Sequence, residues 1–263
     1  MRDLRSLIAA FALATLLAAS GCASCNHDRL ALTLPESLRG SEALILVADG
    51  AGDFRATSQA LRQAIAAEKL PLTLEPFVWS HGYCRVLSDQ LDEGHARREG
   101  QRLAETVLAV RRACPERPIY LVAHSAGSAV VLAAASALPP DTIERIILFA
   151  PSVPEDYDLR PALRSVRYEV DVFSSRSDQW YLQASLFVSS IVHCRRCTAA
   201  GSDGFHPILD MPEDRLLYKK LRDFPWDPGL IWTGHDGGHF GYYQQGYLRE
   251  FVLPLLRVQP PSA

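Results

Sequence analysis

Ile119-Tyr120-Leu121-Val122-Ala123-His124-Ser125-Ala126-Gly127-Ser128-Ala129-Val130 is the stretch whose reading decides the fold. A short apolar run ends in a serine flanked by small residues. An alanine-rich run, Ala126 to Leu138, follows at once and reads as a helix. A strand that turns straight into a helix lifts its turn residue above the sheet edge. The places two before and two after that residue need small side chains, because the chain and its neighbouring strands crowd there. Ala123 and Gly127 fill them, so A-H-S-A-G stands where the common pattern is G-x-S-x-G. Such a turn exposes the Ser125 hydroxyl and aims the Ala126 N–H at the place where an oxyanion would form. The helix N-terminus adds partial positive charge there. A serine in this position is also an ordinary helix N-cap. The strand-turn-helix setting favours the nucleophile.

Working outward, Ala43 to Ala48 reads as a buried strand. The glycine-rich turn Asp49-Gly50-Ala51-Gly52-Asp53-Phe54 follows it, and a helix is expected from about Thr57 to Lys69. The turn lacks the third glycine of a dinucleotide fingerprint. It fits better as the loop supplying a second oxyanion N–H, from Gly50 or Ala51, although a plain strand-helix turn has the same look. Leu72 to Trp79 reads as a strand and leads to His81, which either lines a site or is a loop histidine. A long helix is expected from about Asp92 to Ala113, ended by Pro115 and Pro118. Ile143 to Ala150 and Tyr168 to Phe173 are further strands, with Pro151 to Leu163 irregular between them. Residues 180–228 read as a helix plus an excursion over the site, a partial lid. Leu230 to Thr233 reads as the last strand, and a closing helix carries Tyr243, Tyr247 and Phe251. Strands alternating with helices imply an α/β domain, a mostly parallel sheet covered on both faces.

A serine hydroxyl needs a base within hydrogen-bond reach, and that base needs an orienting acid. Ser125, Asp178 and His239 occur in the order serine, acid, histidine, and each follows an expected strand end. Asp178 competes with Asp171, inside a strand, and Asp156, after a different one; it is also readable as a loop cap. His239 competes with His235 in the loop Gly234-His235-Asp236-Gly237-Gly238-His239. The glycines before His239 allow a close approach to the serine. His124, beside the nucleophile, is expected to shape the pocket or to be structural.

These segments resemble the α/β-hydrolase superfamily, serine esterases and lipases, over roughly residues 42–256. Val122 to Gly127 carries the resemblance most strongly, supported in order by Asp49 to Gly52, Ser174 to Asp178 and Gly237 to His239. The chain also resembles uncharacterised planctomycete-type members carrying Trp79-Ser80-His81-Gly82 and Tyr157 to Leu163. The superfamily implies an eight-stranded sheet, no cofactor and hydrolysis of a small acyl ester through an acyl-enzyme. A binding or scaffold protein on the same fold is the alternative, since fold does not fix function. Ala123 in place of glycine, and the missing His-Gly before the oxyanion loop, are departures from the pattern.

Ahead of this domain, Arg2 and Arg5 precede an apolar run, Leu7 to Ala19, too short to span a bilayer. Residues 1–21 read as a signal peptide. Ala19-Ser20-Gly21-Cys22 resembles a bacterial lipobox, with alanine where leucine is commonest. That resemblance implies lipidation of Cys22, membrane attachment and work in the extracytoplasmic cell envelope. Plain secretory cleavage is the alternative. Residues 22–40 are then a spacer and 41–258 the hydrolase domain. Such a compartment permits disulfides among Cys25, Cys84, Cys114, Cys194 and Cys197. Cys194-Arg195-Arg196-Cys197 is a C-x-x-C, read as a local disulfide or two loop thiols rather than a zinc or redox pair. No metal is expected. Of the 263 residues 48% are hydrophobic and 22% charged, with net charge −3, so a nucleic-acid partner is not expected.

Overall fold

The computed structural model describes residues 35–40, 42–178 and 198–257. Six strands form one parallel sheet: β1 (Ala43–Ala48), β2 (Leu72–Pro76), β3 (Ile119–His124), β4 (Arg145–Phe149), β5 (Val170–Ser174) and β6 (Leu221–Pro225). Their order across the sheet is β2-β1-β3-β4-β5-β6. The chain first steps outward from β1 to β2, then crosses back to lay β3 on the other side of β1. Open parallel sheets bind ligands where the order reverses, beyond the strands' carboxyl ends. Here that place lies past Ala48 and His124. This is the α/β-hydrolase fold, with six strands among the described residues rather than eight.

Period-two alternation divides each strand between two cores. Leu44, Leu46, Ala48, Ile119, Leu121 and Ala123 face one way, onto helices α3 (Glu93–Ala113), α4 (Gly127–Ser136) and α5 (Arg160–Ser165). Ala43, Ile45, Val47, Tyr120 and Val122 face the other way, onto α1 (Ala56–Ala67) and the turns around Tyr242, Tyr247 and Val252. Strands buried on both faces are continuous apolar runs, which is why the sequence shows them plainly. Each fully buried Leu or Ile contributes about 1.5–3 kcal/mol.

The elements differ from the sequence reading where apolar content and burial part company. Leu230 to Thr233 is not a strand but part of a 3-10 helix, Pro228–Thr233, started by Pro228 and by the Asp227 side chain accepting from Gly229 N–H at 2.7 Å. Ile231 and Trp232 are exposed there. The last strand is β6, Leu-Arg-Asp-Phe-Pro, inside the segment read as an excursion. As an edge strand it tolerates charge and a terminal proline, which disguised it. Of the rest of the expected excursion, residues 180–197 lie outside the described residues, and 198–220 carry short helical turns at Ala200–Asp203, Asp214–Leu217 and Tyr218–Lys220. A short helix α2 (Val86–Leu91) precedes α3, which starts where the Asp92 side chain accepts from His95 N–H at 2.7 Å. The closing helix is broken into short turns of changing pitch from Gly241 to Leu256, ending in a 3-10 turn that contains Pro254. No helix of the described residues is long and apolar enough to cross a membrane.

Helices α3 and α4 touch through their backbones. A Cβ on Gly100 would lie 2.5 Å from the Ala133 Cβ and 2.8 Å from the Val130 carbonyl oxygen. Gly100→Ala therefore has to push the helices apart. It should lower stability by about 1–3 kcal/mol despite alanine's better helix propensity. The midpoint of urea unfolding checks this.

Candidate active site

Ser125 follows β3 directly and sits in the left-handed region, at φ 51°. A non-glycine residue there is strained, and the surroundings must hold it. Its N–H donates to the Phe149 carbonyl at 2.9 Å, extending the β3–β4 pairing by one residue. A Cβ on Gly127 would lie 2.2 Å from the Ala48 carbonyl oxygen and 2.6 Å from that of Asp49. Glycine at that place lets α4 start against the end of β1. Ala123 is wholly buried in the core on the α3–α4 side, where a methyl group fits. The first residue of α4 is Gly127, its cap position is Ala126, and no side chain caps it. Ser125 is therefore not the helix cap, and its hydroxyl is left for other work.

Asp178 ends the 3-10 turn Arg176–Asp178, which leaves β5 at its carboxyl end. The Asp178 Oδ2 lies 2.6 Å from His239 Nδ1, and both side chains are buried. Burial disfavours charge on each group, raising the Asp178 carboxyl and lowering the His239 imidazolium. A neutral imidazole whose Nδ1–H is given to the carboxylate keeps Nε2 as its basic atom. The two loops are tied together beside this pair. Ser175 Oγ donates to the Gly237 carbonyl at 2.6 Å and accepts from Ser177 N–H at 3.2 Å. The rival acids lie elsewhere. Asp171, inside β5, accepts from the buried Arg145 guanidinium at 2.7 Å, and burial pushes its carboxyl up to about 6. Asp156 is exposed.

Ser125 and His239 line one cavity of about 320 Å³. Gly50, Ala51, Phe54, Ala56, Phe240 and Tyr243 make its walls, with Arg55, Gln90 and His124. Of the expected oxyanion donors, Ala126 follows the serine, and a Cβ on Gly50 would lie 3.7 Å from the Ser125 Cβ. The loop carrying Gly50 and Ala51 is held at several atoms. Trp79 Nε1 donates to the Asp49 carbonyl at 2.8 Å, and Ser58 N–H to Asp49 Oδ1 at 3.0 Å. Asp89 Oδ2 accepts from Gly52 N–H at 2.7 Å and from Ser80 Oγ at 2.6 Å. Asp89 Oδ1 accepts from His81 N–H at 2.8 Å and faces His81 Nδ1 at 2.9 Å. Burial alone would raise this carboxyl, but those donors bring it below its ordinary value. With its N–H spent on Asp89, Gly52 is not an oxyanion donor.

His124 lines the cavity, but two other histidines expected near it do not. His81 pairs with Asp89 and stacks on His95, ring centres 3.8 Å apart. His235 is fully buried against Tyr242 and Tyr247, and its Nδ1 accepts from Gly237 N–H at 2.9 Å. Burial lowers its imidazolium to about 4, so it shapes the loop as a neutral ring. Sequence reasoning missed Asp89, Phe54, Phe240 and Tyr243. Asp89 lies 37 residues from the Gly52 it holds, a separation no local pattern reports. Cys84 and Cys114 are free thiols. Cys22, Cys25, Cys194 and Cys197 lie outside the described residues. Among the described residues no cluster of His, Cys, Asp and Glu is arranged to hold a metal ion.

Residues 95–203 match the family model described as serine aminopeptidase, S33. The match contains Ser125 and Asp178 and stops short of His239. No curated protein sequence matches the chain. Among solved structures it is similar to an α/β serine hydrolase without lid from Xanthomonas campestris. The identity is 17%, 88% of each chain is covered and the TM-score is 0.48. It is also similar to the catalytic core domain of acetyl xylan esterase from Trichoderma reesei. That identity is 13%, with 82% of this chain and 98% of that one covered and a TM-score of 0.44. A third likeness is to a Trichoderma reesei cutinase in complex with a phosphonate inhibitor. It shares 18% identity and covers 82% of this chain and 76% of that one, with a TM-score of 0.40.

Asp89→Ala would leave the Gly52 and His81 N–H groups and the Ser80 hydroxyl without their acceptor. It should cost at least about 2 kcal/mol. Asp89→Asn, which keeps an acceptor oxygen, should cost less. Thermal unfolding of the two variants checks the order.

Proposed function

We propose that this chain is a serine hydrolase that cleaves a carboxylic ester through an acyl-enzyme. One observation carries the reading: the buried 2.6 Å bond between His239 and Asp178 opens onto the cavity that holds Ser125 at a strained turn. In this reading His239 Nε2 takes the Ser125 proton as the oxygen attacks the ester carbonyl. Asp178 holds the ring by Nδ1 and stabilises the charge it gains. The Ala126 N–H and one from Gly50 or Ala51 hold the oxyanion. His239 then protonates the leaving alcohol, and water repeats the cycle to free the acid. No cofactor takes part.

The matched family model bears the name of an aminopeptidase, and a peptide amine is the second substrate to weigh. An α-ammonium group calls for a carboxylate in the pocket. Among the described residues that line the cavity there is no Asp or Glu, and the cation among them is Arg55, paired with Asp53. That lining favours an ester. A binding protein on this fold would have no use for a strained serine beside an Asp-His pair.

The lipobox-like Ala19 to Cys22 adds a location to the proposal: a lipid anchor at Cys22 holding the domain to a membrane in the bacterial cell envelope. Cys22→Ala should then release the protein from the membrane fraction.

A fluorophosphonate probe should label the purified protein, and Ser125→Ala should abolish labelling. Labelling that survives Ser125→Ala removes the assignment. Asp178→Asn, which removes the negative charge and can turn its amide N–H towards Nδ1 to favour the wrong tautomer, should lower kcat by about 10³–10⁴-fold on a short acyl ester. A folded wild type that hydrolyses no short ester and resists the probe would instead favour the binding reading.

A further inference from the structure

The place just before the nucleophile is one the pattern leaves open, and here it holds His124. Alternation along β3 puts its side chain on the same face as Tyr120 and Val122, where the chain returns at His239 to Tyr243. The residue is 1% exposed. Its Nε2 lies 3.0 Å from the backbone carbonyl oxygen of His239. A carbonyl only accepts, so Nε2 carries the hydrogen. In a neutral ring Nδ1 is then an acceptor, and the Tyr243 hydroxyl, 3.0 Å away, donates to it. Burial, with the neighbouring His239, lowers the imidazolium to about 3 and keeps the ring neutral. A Cβ on Gly50 would lie 2.9 Å from the same Nδ1, so the loop beside the nucleophile rests on the ring. The His239 ring packs on it as well, centres 4.6 Å apart.

One side chain therefore touches the loop that carries the base, the loop that flanks the nucleophile, and Tyr243 in the cavity wall. We propose that His124 is a positioning residue: its bonds to the His239 carbonyl and the Tyr243 hydroxyl set where the base stands over Ser125. The inference rests on the catalytic reading of Ser125 and His239. A histidine that merely fills the core would matter to stability alone. A positioning residue would matter to turnover in a protein that is still folded.

The test compares wild type, His124→Phe, His124→Gln and Tyr243→Phe by circular dichroism, steady-state kinetics on a short acyl ester and the rate of fluorophosphonate labelling. Phenylalanine keeps a ring and loses both hydrogen bonds. Glutamine keeps a donor for the His239 carbonyl. His124→Phe is expected to lower kcat and the labelling rate by about 30–100-fold with KM within about threefold, the scale of a small misplacement of reacting groups. His124→Gln is expected to recover to within about fivefold of wild type, and Tyr243→Phe to lose about 3–10-fold. A folded His124→Phe with wild-type kcat overturns the proposal, as does equal loss in folded Phe and Gln variants. Should His124→Phe fail to fold, Tyr243→Phe decides, and an unchanged kcat there overturns it. A wild type that neither hydrolyses nor labels sinks the catalytic reading and this inference together. Loss confined to the variants is the supporting outcome.

Discussion

The approach of the Gly127 backbone to the end of β1 is the contact on which the site depends. With the Ala48 and Asp49 carbonyl oxygens where a side chain would stand, only glycine lets α4 begin there. That closeness forces the sharp turn, and the turn holds Ser125 in a left-handed conformation. The strain is borne by pairing that is already in place: β3 lies between β1 on one side and β4 on the other, and the Ser125 N–H continues the β4 ladder. A rigid, doubly buried sheet can hold a residue in a conformation that a loop would relax.

Around that turn, low dielectric does much of the chemical preparation. His239, His124 and His235 are all buried, and burial disfavours the imidazolium in each. They nonetheless differ in use, because their partners differ. His239 meets a carboxylate, His124 a carbonyl and a hydroxyl, and His235 a backbone N–H. Only the first arrangement orients a ring and also stabilises the charge that proton uptake would bring. The Asp49 and Asp89 carboxylates do corresponding work for the loop at Gly50, fixing backbone that the glycines alone would leave free.

How much of this was legible depended on distance along the chain. β1, β3, β4 and β5 were readable because strands buried on both faces are unbroken apolar runs. β6 was not, because an edge strand with Arg222 and Asp223 looks like a loop, while the exposed Ile231 and Trp232 imitate a strand. His235 and His239 share one glycine-rich loop with similar neighbours. Nothing local says that one ring turns inward against Tyr242 and Tyr247 while the other meets Asp178.

The sequence by itself determined the α/β class, the strand-turn-helix around Ser125 and the order of the residues that gather there. These follow from periodicity and from the size of side chains next to one another. Only the tertiary structure decided which histidine faces the acid, that Asp89 holds Gly52, and that His124 bridges two loops. Those pairs are separated by 61, 37 and 115 residues, and at such distances a contact exists only once the sheet has brought the strand ends to a common rim.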